Sequence, residues 1–254
     1  MKTQIFVQAR LGSTRLPGKV LHKICGKSII QIIFERLQKV QNIDDIFLVT
    51  GTKESNHLLV NESEKLNLKY FCGSEENVLD RFYKASNEFN SENIIRITAD
   101  CPLIDFNILN HGLEIYEKIN CDILSIVRKR TFPHGFDFEI FRRKSLEESW
   151  KDNLSKYSNE TEFLNTFIPP TKYMLEKKKF KNYDLVNKED LSHIRLTLDY
   201  PEDFIVISKI YETLYKKNKY FTMNDILNFL NNNKKILDLN RKYINLNHEL
   251  DIEK

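Results

Sequence analysis

Short apolar runs alternate with helical patterns along the first hundred residues, and this alternation limits the folds that the chain can adopt. The runs lie at residues 4–9, 45–51, 69–73 and 93–100. Between them, apolar residues recur at helical spacing, as in residues 29–40 after Ser28, which we expect to be an N-cap. Strands that alternate with helices are typical of βαβ units, so the sequence predicts an α/β fold with a mostly parallel sheet.

Later segments extend this pattern. Ser74 followed by two glutamates predicts a helix that begins at Glu75, with an acidic first turn. Alternating apolar and acidic residues at 136–140 predict a half-exposed strand, and residues 192–199 predict a late strand that ends on Asp199. Pro201 then opens an amphipathic helix, and residues 224–230 form a last one.

A basic loop follows the first strand. Arg10, Arg15 and Lys19 crowd into a short segment with Gly12 and Ser13. Like charges repel, so a polyanion explains such a cluster: triphosphate oxygens accept forked hydrogen bonds from Arg and a point-charge contact from Lys. A solvated basic turn is the alternative. The loop lacks the Gly-Lys-Ser/Thr ending of a Walker A motif.

Two aspartates, Asp100 and Asp199, each end a predicted strand. In parallel sheets ligands bind beyond the carboxyl ends of the strands, so both carboxylates are expected near the basic loop. One or two carboxylates, completed by water and phosphate, are what Mg²⁺ uses. Either aspartate could instead cap the turn that follows it.

Composition excludes several other classes. The 39 basic and 36 acidic residues give a net charge of +3, which makes no case for nucleic acid. The four cysteines have no Cys-x-x-Cys pairing, and the chain shows no signal peptide or membrane span, so we expect a cytoplasmic protein. Six histidines show no metal-ligand spacing. His134, beside Gly135, is either a substrate contact or an ordinary turn residue.

Residues 8–21 carry a family resemblance. They read Gln-Ala-Arg-Leu-Gly-Ser-Thr-Arg-Leu-Pro-Gly-Lys-Val-Leu, which resembles the signature of the cytidylyltransferase family, including the synthetases of CMP-activated sugar acids. Within that family the chain is similar to the branch of spore coat polysaccharide biosynthesis protein F. Further segments follow in the order of that branch, at residues 73–82, 96–105, 133–139 and 195–203.

The resemblance implies a nucleotide-diphospho-sugar transferase fold, which is a three-layer α/β/α sandwich. It also implies Mg²⁺-dependent transfer of a nucleotidyl group from a triphosphate, expected to be CTP, with release of pyrophosphate. Homodimers are common in the family. By this resemblance the nucleotide-binding residues are Ala9, Arg10, Gly12, Ser13, Arg15 and Lys19. The catalytic residues are Arg15, Lys19 and Asp100, and the metal ligands are Asp100 and Asp199.

The acceptor side is less defined. The resemblance places His134, Asp137 and Glu139 on the acceptor-side strand. The branch usually has a Glu-His pair where this chain has Glu162 and Phe163; if that histidine contacts the acceptor, the acceptor differs here. Two alternatives stay open: a guanylyl- or uridylyltransferase acting on a sugar 1-phosphate, and a non-catalytic nucleotide-binding homologue. We expect one nucleotidyltransferase domain at residues 1–220, with a C-terminal helix and tail at 221–254 packed on it.

Overall fold

A seven-stranded sheet runs through the part of the protein that the computed structural model describes, residues 2–244. The strands, including a small separate hairpin, are β1 (Thr3–Gln8), β2 (Lys23–Ile24), β3 (Lys27–Ser28), β4 (Asp45–Thr50), β5 (Lys69–Cys72), β6 (Asn93–Thr98), β7 (Ile123–Ser125), β8 (Phe138–Arg142) and β9 (Asn182–Asp184). The large sheet has the order β5-β4-β1-β6-β8-β7-β9, and β2 pairs with β3. In the large sheet as described for residues 2–244, β8 runs antiparallel to β6 and β7, and every other pair of strands is parallel. The predicted mostly parallel sheet is therefore confirmed.

Helices cover both faces of this sheet. They are α1 (Ile29–Leu37), α2 (His57–Lys65), α3 (Val78–Glu88), α4 (Phe106–Ile119), α5 (Arg143–Leu154), α6 (Glu160–Leu164), α7 (Lys172–Glu176), α8 (Pro201–Leu214) and α9 (Met223–Asn232). Short 3₁₀ helices lie at Lys19–Leu21, Lys234–Leu239 and Arg241–Tyr243. One core packs α1, α4, α8 and α9 against the sheet, and the other packs α3, α5, α6 and α7. The fold is therefore the expected three-layer α/β/α sandwich.

The central strand β1 shows why the layers form. Ile5 and Val7 point into one core, whereas Phe6 points into the other, as strand alternation requires. A strand covered on both faces reads as a continuous apolar run. In the parallel register Gln8 lies beside Val49 of β4 and Thr98 of β6. The loops after these three strands therefore leave the sheet on one side, at the carboxyl ends of the parallel strands, which we name the open edge.

The strand at 136–140 is not half-exposed as predicted. It runs as Phe138–Arg142 between β6 and β7, and all but its last residue is buried. The alternation was misleading because the acidic Glu139 is itself buried: it accepts hydrogen bonds from Arg96 at 2.7 Å and from Thr171 at 2.9 Å.

The late strand predicted at 192–199 is also wrong. This segment makes a single bridge, between His134 and Arg195, and otherwise crosses the open edge of the sheet. Its amides bond to loops instead of to a strand: Leu196 donates to the His134 carbonyl at 2.6 Å, and Leu198 donates to the Asp100 carbonyl at 2.8 Å. Gly135 permits the approach, since its φ is +111° and a Cβ there would overlap the Leu196 carbonyl.

Helix α3 begins at Val78 and not at Glu75 as predicted. The side chain of Asn77 is the N-cap and accepts from the Asp80 amide at 2.9 Å. Ser74 instead accepts from the Asn77 amide and donates to the Leu164 carbonyl, each at 2.9 Å. The loop before the helix is thereby fixed, and the two glutamates lie in it.

The other predicted helices are confirmed. Ser28 caps α1, with its hydroxyl accepting from the Gln31 amide at 3.4 Å, and Pro201 is the first residue of α8. Helix α9 packs Ile226 and Leu230 into the same core as α1. Residues 245–254 of the predicted tail lie outside the described residues. Within residues 2–244, no helix is long and apolar enough to cross a membrane.

Candidate nucleotide-binding site

The basic loop leaves β1 at the open edge of the sheet and is anchored at both ends. Buried Ala9 donates to the Val49 carbonyl at 3.3 Å, and the Leu11 amide donates to the Asn56 side chain at 2.9 Å. At the far end Gly18 adopts φ 63°, a left-handed turn that starts the 3₁₀ helix Lys19–Leu21. Between the anchors, Arg10 and Gly12 are exposed, Ser13 is half-buried, and a Cβ on Gly12 would meet no described atom within 4 Å.

Lys19 joins the loop to both candidate aspartates. Its Nζ lies 2.9 Å from Asp199 Oδ1 and 3.4 Å from Asp100 Oδ2, and it also donates to the Leu198 carbonyl at 2.8 Å. The structure therefore brings together a cation and two carboxylates that the sequence separates by 81 and 180 positions.

The charges in this group stabilise one another. Burial alone would lower the pKa of Lys19, but Asp100 and Asp199 more than offset it, so this pKa is raised. Burial alone would raise the pKa of Asp199, but Lys19, Arg15 and Arg195 hold it well below its usual range. At neutral pH both Lys19 and Asp199 are therefore charged.

Arg15 is the second loop cation at this site. Its Nη2 lies 3.6 Å from Asp199 Oδ1, and its Nη1 donates to the Tyr200 hydroxyl at 3.1 Å. The guanidinium also lies 4.8 Å from the centre of the Tyr200 ring. Since 38% of its side chain is exposed, Arg15 presents charge to solvent at the mouth of the site.

Asp199 is held from behind by residues that sequence reasoning missed. Buried Arg195 donates to Asp199 Oδ2 at 3.1 Å and makes two bonds to Asp203, at 2.9 and 2.8 Å. Asp203, at the third position of α8, also accepts from the amides of Asp199 and Tyr200. Arg195 and Asp203 both lie in the segment 195–203 that resembles the related branch, but the resemblance assigned them no role. The local signal was an aspartate after Pro201, which is typical of a helix start.

The acceptor candidates divide into two groups. Asp137 makes a forked pair with Arg130, at 2.5 and 3.0 Å, and lies 3.7 Å from His134 Nε2. Burial lowers the pKa of His134; burial would raise that of Asp137, but Arg130 lowers it. Arg130 was not predicted. Glu139 instead contacts Arg96 and Thr171, so it contributes an ion pair to the interior.

A cavity of about 620 Å³ is linked to the start of the basic loop by Asn56, which accepts from the Leu11 amide and donates to Glu75 of the cavity lining. It is lined by residues 52–54, residues 71–76, Asp80, Lys84, Leu164 and Asn165. Behind it, buried Arg81 donates to the carbonyls of Ser74 at 2.8 Å and Glu75 at 2.7 Å. Glu75 in turn accepts from the Thr52 amide and the Asn56 side chain. Burial lowers the pKa of Arg81 to about 10, against the effect of Glu75, and the charge of Arg10 adds to the lowering.

Phe163, where the related branch usually has His, is fully buried. Its ring packs against Trp150 and Tyr157, with centroids 5.9 and 5.5 Å away. Its carbonyl accepts from the Asn77 side chain at 2.8 Å. The side chain is therefore part of a core, and the neighbouring Leu164 and Asn165 are the residues that reach the cavity.

The carboxylates fit a magnesium ion that binds together with phosphate. Among residues 2–244, no group of three or more His, Cys, Asp or Glu side chains could hold a metal alone. Mg²⁺ is usually bound by one or two carboxylates plus substrate phosphates and water, which the pair of Asp100 and Asp199 matches. The Asp100 side chain is 30% exposed, whereas Asp199 is 8% exposed and already contacts three cations. Asp100 is thus the more accessible oxygen donor.

The sandwich, the basic loop at its open edge and the paired carboxylates define an α/β nucleotidyltransferase. Residues 4–236 match the family described as Cytidylyltransferase, and the chain belongs to this family. Both the fold and the family resemblance predicted from the sequence are thereby confirmed.

The chain is similar to two relatives and to a solved structure. The chain is 35% identical to the uncharacterized protein MJ1063 of Methanocaldococcus jannaschii, over 94% of this chain and 95% of that protein. It is 26% identical to the spore coat polysaccharide biosynthesis protein SpsF of Bacillus subtilis, over 81% and 85%. A cytidylyltransferase from Leptospira borgpetersenii superposes with a TM-score of 0.81 at 29% identity, covering 93% of this chain and 97% of that one.

Proposed function

We propose that this protein transfers CMP from CTP to a sugar, a sugar acid or a small phosphorylated acceptor, with release of pyrophosphate. The observation that carries the proposal is the contact of Lys19 with both Asp100 and Asp199, at the end of a basic loop that presents Arg15 to solvent. By its similarity to SpsF, we place the product in the synthesis of a surface polysaccharide or glycan.

The loop cations bind the triphosphate in this proposal. Arg10, Arg15 and Lys19 supply positive charge, while Ser13 and the backbone at Gly12 supply hydrogen-bond donors. Lys19 exchanges its carboxylate partners for phosphate oxygens, and Asp100 and Asp199 would then hold a divalent ion, proposed to be Mg²⁺. When bound, that ion stabilises negative charge on the phosphate oxygens.

The acceptor approaches from the side of His134 and Asp137. Its oxygen forms a bond to the α-phosphorus while the bond from that phosphorus to the pyrophosphate leaving group breaks. A hydroxyl acceptor releases its proton to water, whereas a phosphate acceptor attacks as the anion. Because pyrophosphate leaves with the electron pair, cations around it lower the barrier. The chain contributes by holding both reactants in place, without a covalent enzyme intermediate.

The base is proposed to occupy the cavity bounded by Thr52, Gly73 and Glu75, which Asn56 links to the basic loop at Leu11. Cytosine follows from the family. Uracil or guanine is the alternative that the cavity's volume leaves open. The non-catalytic alternative rested only on Phe163, and the burial of that side chain in an aromatic core gives the residue a packing role.

Pyrophosphate release tests the proposal. The protein is incubated with Mg²⁺, a panel of acceptors, and CTP, UTP, GTP or ATP in turn. Of the four nucleotides, we expect only CTP to give release. CTP at one hundred times its Kd is also expected to raise the free energy of unfolding by about 2.7 kcal/mol. Absence of release with all four nucleotides contradicts the transferase proposal. Release with GTP or UTP instead would show that the donor nucleotide carries guanine or uracil and not cytosine.

Three further expectations stay predictions: the homodimer, the cytoplasmic location and the division at residue 220. Light scattering coupled to size-exclusion chromatography measures the first. A measured mass of twice the 30.2 kDa of one chain would support the homodimer.

A further inference from the structure

The last described turn, residues 240–243, lies against the phosphate-binding side of the site. It follows the region 4–236 that matches the family, so its contacts are not part of that match. Two of its residues, Asn240 and Tyr243, touch the groups behind Asp199 and Arg15, respectively.

Tyr243 supports the residue that holds Arg15. Its ring stacks on Tyr200 with centroids 3.7 Å apart and planes only 3° from parallel. The Tyr200 hydroxyl accepts from Arg15 Nη1 at 3.1 Å, and the Arg15 guanidinium lies 4.8 Å from the Tyr200 ring centre. Glu202 holds the turn in place, since it accepts from Tyr243 at 3.1 Å and from Lys242 at 2.8 Å.

Asn240 supports the residues that hold Asp199. It is almost fully buried, and its Nδ2 donates to the Arg195 carbonyl at 3.1 Å and to Asp203 Oδ1 at 2.9 Å. Asp203 and Arg195 bind the amide and the carboxylate of Asp199. One turn of the chain therefore supports the exposed cation through Tyr200 and the buried carboxylate through Arg195 and Asp203.

We propose that residues 240–243 form a C-terminal strap that positions Arg15 and Asp199 for the triphosphate. Tyr243 and Asn240 are positioning residues that act through Tyr200 and Asp203. A half-exposed arginine has many side-chain conformations, and a fixed aromatic ring beneath it restricts them before the ligand arrives. The effect of the strap on nucleotide binding rests on the proposed function.

A double-mutant cycle on CTP kinetics tests the strap. Tyr243→Ala is expected to raise KM for CTP about two- to fivefold, the range of an exposed cation–π contact, with little change in kcat. Tyr243→Phe keeps the stack and is expected to restore KM. In an Arg15→Ala background, Tyr243→Ala is expected to add no further loss, because its effect passes through Arg15. Equal losses in both backgrounds overturn the proposal.

Two controls separate positioning from folding. Arg241→Ala changes an exposed side chain in the same turn and is expected to leave KM unchanged. Tyr243→Leu keeps apolar bulk on Tyr200 while it removes the aromatic stack, so it reports on positioning even where Tyr243→Ala unfolds. A KM for Tyr243→Leu equal to that of the unsubstituted protein overturns the proposal.

A measurement without nucleotide distinguishes the strap from the proposed reaction. NMR order parameters of the Arg15 Nε–H group report how firmly this side chain is held. A lower order parameter in Tyr243→Leu, restored in Tyr243→Phe, supports the strap even where pyrophosphate release fails and the transferase proposal falls. An unchanged order parameter overturns the strap, whatever the enzyme activity.

Discussion

The charged group around Lys19, which we propose binds phosphate, and the cavity in front of Arg81 hold their charges in different ways. Lys19, Arg15, Asp100 and Asp199 contact one another through charged side chains at 2.9–3.6 Å. In contrast, Arg81 donates to main-chain carbonyls, and Glu75 accepts from an amide and an asparagine. Charged side chains can exchange partners when a ligand brings charge of its own. Charges fixed to the main chain keep a cavity in one shape.

The largest effect that tests this contrast is expected from Asp100→Asn. The substitution removes one carboxylate charge while it keeps the shape of the side chain. We expect kcat to fall about 10²- to 10³-fold, because the negative charge that can hold the metal is lost. The melting temperature should change little, since the side chain is 30% exposed and its distance to Lys19 is 3.4 Å. Steady-state pyrophosphate release and thermal melting measure the two.

The matched control for this change is Asp190→Asn, at an exposed position whose carboxylate caps the Ser192 amide. It alters the net charge equally and should leave kcat unchanged. Near-normal turnover by Asp100→Asn would exclude this aspartate as a metal ligand.

A smaller effect on kcat, accompanied by a loss of stability, is expected from Arg81→Met. The change leaves the carbonyls of Ser74 and Glu75 without their buried donor. The free energy of unfolding should fall by about 2–3 kcal/mol, and KM for CTP should rise more than kcat falls. Urea denaturation and steady-state kinetics measure these quantities. Lys144→Met, an exposed cation on α5, is the control, and equal destabilisation by both would refute a fixed wall at Arg81.

The smallest effect concerns pH and His134. Burial lowers the pKa of this imidazole in the folded state, against the charges of Asp137 and Asp100 and with those of Arg130 and Arg195. The unfolded chain therefore binds a proton more readily, so stability is lost as pH falls from the ordinary histidine pKa towards the lower folded value. His134→Asn should flatten this loss in denaturation curves, whereas His111→Asn, at an exposed position on α4, should not. Identical pH profiles for both variants would contradict it.

The sequence predicts those elements whose signals are local. Strands β1, β4 and β6 are apolar runs, and α1 and α8 carry a Ser cap and a Pro start. The prediction at residues 136–140 failed because Glu139 is charged and yet buried. The prediction at residues 192–199 failed because the amides of Leu196 and Leu198 bond to loops instead of to a strand. The partner of Glu139, Arg96, lies 43 positions away, a pairing that no local pattern records.

The site divides in the same way. Arg15, Lys19 and Asp100 lie in motifs that sequence reasoning recognises. Arg130, Arg195 and Asp203 gain their roles from contacts that only the folded chain creates. The start of α3 shows the same limit: Ser74 and Asn77 are both good caps, and Ser74 also bonds to Leu164, 90 positions away.

The segment that crosses the open edge has a consequence for engineering. Residues 187–196 are joined to the acceptor-side loop by four bonds: from Asn187 and Leu191 to Thr131, from His134 to Ile194, and from Leu196 to His134. The same segment continues into Asp199. If residues 130–137 bind the acceptor as proposed, exchanging that loop alone would also displace Asp199. Changing the acceptor would then require residues 130–137 and 187–199 to be exchanged together.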